Sequence, residues 1–332
     1  MRTIFRTYYI LLSSLLLIIT LSPNAMAGRE IKIASVAPDG SAWSRLFKRM
    51  NKEIQGKTKG EVTFHFYPGQ VQGDERDVIR KIRTGQLDGG AFTAVGLSMI
   101  NPKVLVLQMP MMFTTYEQLD RVRDKMNQEF EISFREKGYE LLGWGDVGWV
   151  YLFSQNQVNN KSDLIKQKVW VWNDDPLSKA MMKIAGVSPR QLGLPQVYPA
   201  LNTGMVNAVY NAPLACLTLQ WHTKVKYFAD FPLAIAIGAT VISKKTFDAI
   251  SPEYQKVLKE ISAKYHRDLN KIVRRDNDKA LQAIRASGIQ AIPIEEKWKV
   301  EFRQIAAKVA KQFVPRFYPQ DLLDRVIKLR NE

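Results

Sequence analysis

The chain is predicted to be an α/β protein of two domains. Three observations lead there. Strand-period and helix-period segments alternate from Glu30 to Thr93, and they alternate again from Lys168 to Asn211. A single helical run from Ser251 to Gly288 is, at about 1.5 Å per residue, about 54 Å long, more than one small domain is wide.

The elements follow in order. Glu30–Ala37 alternates and is rich in β-branched residues, which predicts a first strand. Pro38-Asp39-Gly40-Ser41 is a turn and a helix start, and Trp43–Ile54 carries helical apolar spacing. Val62–Tyr67 predicts a second strand, Asp74–Thr84 a helix stopped at Gly85, and Leu87–Thr93 a third strand. Gly138–Phe153 reads as two strands around Gly143-Trp144-Gly145-Asp146-Val147-Gly148. That run satisfies G-x-G-x-x-G, but a dinucleotide site needs a helix directly after the glycines, and Trp149–Ser154 continues with strand formers. The glycines are expected instead to bend the backbone between domains.

In the second unit, Lys168–Trp172 predicts a strand, Pro176–Ala185 a helix ended by Gly186, Gln196–Thr203 a helix ended by Gly204, and Ala208–Asn211 a short strand. Ile235–Ser243 reads as a strand returning to the first domain. The long helix starts with Ser251 as N-cap, Pro252 in the first helical position and Glu253 at the positive end. A coiled-coil arm is one reading of such a helix; a helix lying across both domains is the preferred one. Lys297–Val314 predicts a further amphipathic helix.

The start of the chain reads as an export signal. Arg2 and Arg6 precede an apolar run from Tyr9 to Leu21, then Pro23 and Ala25-Met26-Ala27, a small-x-small cleavage site before Gly28. The run is shorter than the ~20 residues of a membrane span. A periplasmic protein with cleavage after Ala27 is therefore expected. The formal charge is +16, and +14 without Arg2 and Arg6. Nucleic acid is one partner such a charge suggests, but export and the lack of a recognition motif argue against it. A solvated surface attracted to anionic lipid or to an acidic partner fits better. Cys216 is the single cysteine, so no internal disulfide forms. His65, His222 and His266 have no metal-ligand spacing, and no cofactor is implied. No nucleophile elbow or acid–base pair stands out, so no enzyme is expected.

Several motifs in order carry a resemblance. They are Tyr67-Pro68-Gly69-Gln70 with Gly73 and Glu75, then Thr84-Gly85-Gln86-Leu87-Asp88, then Gln108-Met109-Pro110-Met111-Met112-Phe113. Asp163-Leu164 leading into Lys168-Val169, then Gln196-Val197-Tyr198-Pro199-Ala200-Leu201-Asn202-Thr203-Gly204, then Asn211-Ala212-Pro213 complete the set. Together they resemble the solute-binding subunit of the tripartite ATP-independent periplasmic (TRAP) transporters, the DctP-like family. The resemblance implies a periplasmic-binding-protein-like fold: two α/β domains with a cleft between them, chain crossovers, and a long helix spanning both. The expected division is residues 1–27 as signal peptide, 28–147 with 238–270 as domain I, and 148–237 with 271–332 as domain II, bridged by the helix at about 251–287. It also implies a small-molecule ligand, closure of the domains around it, and delivery to a membrane permease. A soluble carrier or sensor of a hydrophobic ligand, working with another periplasmic protein, is the alternative.

The departures concern the ligand. Members of that family commonly hold a solute carboxylate with an arginine at the position of Trp170, and a second arginine corresponds to Val150. A family glutamate and arginine correspond to Thr93 and Gly96, an aromatic to Leu194, and an acid to Asn207. Asn211 is the one retained polar contact. Trp170 and Trp172 share a strand face opposite Val169 and Val171, so valines in the core would turn both indoles to the cleft. Trp144, Trp149 and Tyr151 on the crossover would extend an aromatic wall. A core position for these tryptophans is the competing reading. The expected ligand-binding set is Trp170, Asn211, Val150, Thr93, Leu194, Trp172 and Trp149. Burying an aromatic side chain stabilises by about 4–6 kcal/mol at most, against about 1.5–3 kcal/mol for a charge-assisted hydrogen bond. A cleft without a salt bridge can thus hold a weakly charged, aromatic or lipid-like ligand. A carboxylate stays open if a cation such as Arg190 enters the cleft.

Overall fold

The computed structural model describes residues Gly28–Glu332; the export signal and cleavage site expected from the sequence lie outside the described residues. Two sheet regions share one long strand. In the first lobe the order is β2 (Val62–Tyr67), β1 (Arg29–Ser35), β3 (Gly89–Thr93), β9 (Ala234–Ser243), β4 (Tyr139–Ser154). Strands β1, β2 and β3 run parallel, as strand–helix–strand units require, and β9 runs antiparallel to β3 and β4. The last four residues of β4 leave β9 and pair with β7 (Ala208–Asn211). On the other side they meet β8 (Tyr227–Ala229), which carries β10 (Gln290–Ile292). Strands β5 (Trp170–Trp172) and β6 (Arg190–Leu192) form a parallel pair, joined to β7 through the bridge Val169–Ala208. Strands β4 and β9 are the crossovers between lobes.

The helices, in chain order, are α1 (Ala42–Lys57), α2 (Glu75–Arg83), α3 (Ala94–Ile100), α4 (Tyr116–Glu136), α5 (Lys161–Ile165), α6 (Pro176–Ala185), α7 (Val197–Thr203) and α8 (Pro213–Thr218). They continue with α9 (Lys244–Asp248), α10 (Pro252–Ala286), α11 (Glu296–Phe313) and α12 (Gln320–Asn331). Local chemistry sets most boundaries. The Ser41 hydroxyl caps α1, and the Asp74 carboxylate caps α2 with Asp77 in a reciprocal box. Gly186 and Gly204 end α6 and α7 in the left-handed conformation. Helix α10 begins at the Ser251 cap and packs on α1, β4 and α8, so it touches both lobes. At 35 residues it is about 52 Å long. Among the described residues no helix is long and apolar enough to cross a membrane.

One element corrects the expectation. Residues 139–154 form a single strand, not two, with register shifts between Leu141 and Gly143 and between Asp146 and Gly148. The glycines admit neighbours rather than turning the chain. A Cβ on Gly145 would lie 2.3 Å from the Trp43 ring, and Gly148 (φ +125°) lies under the Asn277 amide of α10. Helix α4 adds to the predicted elements. Thr115 caps it, and Leu119, Val122, Met126, Phe130 and Phe134 form its buried stripe.

Candidate functional site

The strands β1, β3, β5 and β7 all end at one cavity of about 420 Å³ between the lobes. Ligands of open α/β sheets bind outside the carboxyl ends of strands, so the topology itself marks this position. The first lobe contributes the turn from Ser35 to Trp43, Arg45, and Ala91–Thr93; β4 contributes Asp146 and Val147. The second lobe contributes Trp172, Leu194, Asn211 and the α8 region, and Val273 and Asp276 come from α10. The floor is largely apolar.

Two indoles face this space, Trp43 and Trp172. Trp43 sits in the first turn of α1, over the side-chain-free surface of Gly145 and Gly238, and edge-on to His266 at 6.1 Å. Trp172 ends β5 and donates its indole N–H to Asp74 Oδ2 at 2.9 Å. The backbone N–H of Leu194 donates to the same oxygen at 3.2 Å. Asp74 belongs to the first lobe and its two donors to the second, so one carboxylate oxygen ties the lobes together beside the cavity. Arg76 and Asp174 form an ion pair across the same junction.

The charges at the cavity are acids whose partners are already in place. Asp146 is fully buried and takes Arg123 Nη1 at 2.7 Å and Arg274 Nε at 2.6 Å. Both guanidiniums also bond Asp120, which closes a four-residue network joining α4, β4 and α10. Asp39 accepts from the Ser44 hydroxyl and from Lys48, which together hold its carboxyl down to about 2. Among the described residues Arg45 is the one lining cation; it donates to the Gly40 carbonyl and stands 3.9 Å from Asp276. The His266 ring below Trp43 is fully buried, and desolvation lowers it to about 4, so it is neutral.

Glu75 lies behind the end of β3. It accepts from the Thr93 N–H at 2.6 Å, the Thr93 hydroxyl at 3.0 Å and the Gly96 N–H at 2.6 Å. A Cβ on Gly96 would meet Glu75 Oε2 at 2.7 Å. Burial raises the Glu75 carboxyl to about 8, against the hydrogen bonds, which favour the charged form.

Of the sequence-predicted residues, Thr93, Trp172, Leu194 and Asn211 meet at the cavity. The Thr93 hydroxyl is engaged with Glu75 and caps α3. Asn211 Oδ1 accepts from the Ala212 N–H at 2.9 Å, and its amide N–H₂ has no protein acceptor among the described residues. Trp170 is corrected: it does not line the cavity. It is 2 % exposed, stacked on Tyr210 at 5.2 Å and edge-on to Trp221 at 5.3 Å, with its N–H on the Leu192 carbonyl. Both faces of β5 are covered: Val171 is fully buried on one, the indoles pack in a core on the other, and Trp172 at the strand end alone reaches the opening. Val150 is buried beside β9, opposite Ala234, away from the cavity. Trp149 packs on Tyr116 at 5.5 Å, Trp144 on Phe130 at 5.4 Å, and Tyr151 on Phe228 at 6.1 Å, so the crossover forms no aromatic wall. Arg190 is exposed and outside the lining. The sequence reading missed Trp43, whose helical spacing looks like a core position, and Asp74, whose capping role was legible but whose reach to the other lobe was not.

The comparisons with known proteins agree with this architecture. The family model described as bacterial extracellular solute-binding protein, family 7 (DctP) matches residues 33–316. The 2,3-diketo-L-gulonate-binding periplasmic protein YiaO of Escherichia coli (strain K12) is 24% identical over 276 residues, covering 82% of this chain and 83% of its own. The C4-dicarboxylate-binding periplasmic protein DctP of Rhodobacter capsulatus is 23% identical over 236 residues, 70% of each chain. Among solved structures, a TRAP periplasmic solute-binding protein from Roseobacter denitrificans with bound β-D-glucuronate superposes with a TM-score of 0.83 at 22% identity, covering 91% of this chain and 99% of that one. One from Desulfovibrio salexigens with bound orotic acid gives 0.85 at 18% identity, covering 91% and 98%. The chain therefore belongs to family 7 of the bacterial extracellular solute-binding proteins, the DctP family, and is a two-domain solute-binding protein rather than an enzyme.

Proposed function

We propose that this protein captures a weakly charged, partly aromatic small molecule in the cavity between Trp43 and Trp172 and hands it to a TRAP-type membrane permease. Export to the periplasm with cleavage after Ala27 belongs to the same proposal.

The observation that carries the ligand class is the charge of the lining. Three acids, Asp39, Asp146 and Asp276, stand against one cation, Arg45, and that cation is already engaged. A carboxylate entering here would lose its hydration without gaining a guanidinium fork. An apolar ring would gain two indoles, Phe92, Leu194 and Leu214. Asn211 offers free N–H donors for orientation. The relatives of known ligand include a glucuronate binder and one that holds orotic acid, a flat ring that itself carries a carboxyl group.

Titration calorimetry of the purified mature chain tests the reading. Hexuronates, gulonate and C4-dicarboxylates form one panel, and neutral planar heterocycles and aromatic compounds the other. Saturable binding in the second panel alone is the expected outcome. Tight binding of a hexuronate or dicarboxylate would overturn the proposed ligand class while leaving the family assignment intact.

A further inference from the structure

The end of the first lobe opposite the cavity carries a second concave site. Six residue steps along β1, about 20 Å, separate Ser35 at the cavity from Arg29 at this end. A groove of about 620 Å³ is lined there by Arg29, Arg83, Lys137, Lys245, Asp88 and Tyr139, among others. The four cations come from four different elements: the start of β1, the end of α2, the cap of α4 and the start of α9.

Two features mark this groove. The first is pairing. Several cations nearby in sequence are matched, Arg80 with Asp77, Arg135 with Glu140, and Lys244 with Asp248, while Lys81 bonds Gln72 instead. None of the four groove cations makes an ion pair among the described residues. Among the described residues the one lining acid, Asp88, is already engaged, accepting from the Lys32 N–H at 2.9 Å and from the Thr246 hydroxyl, also in the lining, at 2.7 Å. The second is the Arg29 Nε, which is buried and has no hydrogen-bond partner among the described residues. A donor hidden from water and unbonded is costly, and it belongs to a residue that lines the groove.

We propose that this groove is a second ligand site, taking a phosphate-type oxyanion and separate from the solute cavity. Arg29 and Arg83 offer guanidinium forks to oxygens, and Lys137 and Lys245 supply point charges. Four cations exceed what one carboxylate compensates, whereas a phosphate carries more charge and more acceptor oxygens. The phosphate can be free in solution or be the headgroup of an anionic lipid. The inference does not depend on the class of solute in the cavity, because the two sites share no lining residue.

The test uses the mature chain, inorganic phosphate, and phosphatidylcholine vesicles with and without phosphatidylglycerol. The groove variant combines Arg83→Gln with Lys245→Gln, both exposed; the charge-matched control combines Lys52→Gln with Lys297→Gln, exposed and outside the groove. Wild type should bind phosphate saturably, and the groove variant should bind about tenfold or more weakly. The control should stay within about twofold of wild type. Arg29→Gln serves as an independent second variant, with circular dichroism and Tm reporting that each chain is folded. Phosphate that competes with phosphatidylglycerol vesicles identifies a headgroup site; phosphate binding without vesicle binding identifies a soluble anion. The proposal is overturned if wild type does not bind phosphate, if the control loses as much as the groove variant, or if only an acidic polypeptide such as polyglutamate binds.

Discussion

The Trp172 indole N–H donates to Asp74 Oδ2 at 2.9 Å across the junction of the two lobes. The same indole is a wall of the cavity. Cavity lining and lobe contact therefore meet on one side chain. Under the proposed function, a solute that fixes this ring would also fix the donor that ties the lobes, and differential binding to a closed state would become a population shift. The exposed Arg76–Asp174 pair beside it is worth much less.

Asp74→Asn separates the two roles of this residue. Asparagine still caps α2, but its N–H₂ group opposes the Trp172 and Leu194 donors. A charged hydrogen bond of this kind contributes about 1.5–3 kcal/mol, so the closed-to-open ratio should fall by about tenfold or more. Small-angle scattering should report a larger radius of gyration, and tryptophan emission should shift to the red. An unchanged scattering profile would remove Asp74 as the tie between lobes.

Gly145→Ala tests the seating of Trp43. The new methyl would lie 2.3 Å from the ring, so the indole must move. Overpacking of this kind costs about 1–3 kcal/mol. Denaturant melts should show the loss in stability, and binding of any cavity ligand should weaken more than it does in a surface alanine control.

Asp146→Asn tests the buried network. Removing this charge leaves Arg123 and Arg274 facing each other with only Asp120 between them. Breaking a buried pair costs about 3–5 kcal/mol. The expected result is a urea midpoint well below that of wild type with an unchanged slope.

Much of the fold was legible because its signals are local. Ser251-Pro252-Glu253 starts α10, Gly186 and Gly204 stop their helices, and Val62–Tyr67 keeps its predicted bounds. The single strand at 139–154 was not, because its glycines exist to receive Trp43 and Asn277 from helices far away in sequence. The site was half legible for a related reason. Alternation along β5 separates Trp170 and Trp172 from the valines but does not say that both faces are buried. The idea of an aromatic cleft therefore came with the wrong first residue: Trp172 lines the opening, and Trp170 supports the core behind it.

A pH dependence follows from Glu75. Its carboxyl stands at about 8 in the folded chain against 4.5 as the ordinary value, because burial penalises the charged form. A raised folded pKa means the native state holds the extra proton. That contribution is complete below about 4.5 and is lost as pH rises through about 8. The upper limit of the slope is about 1.4 kcal/mol per pH unit. Tm measured across this window should fall with pH in the wild type more than in Glu75→Gln. Parallel curves would show that Glu75 is ionised in the native state.

Native mass spectrometry of the protein purified from its own periplasm, followed by release and identification of the bound small molecule, tests the central claim most directly. The lining of Trp43, Trp172 and Leu194, with no unengaged cation, predicts a neutral or weakly charged molecule containing a flat ring. Recovery of a hexuronate or a C4-dicarboxylate in stoichiometric amount would contradict it.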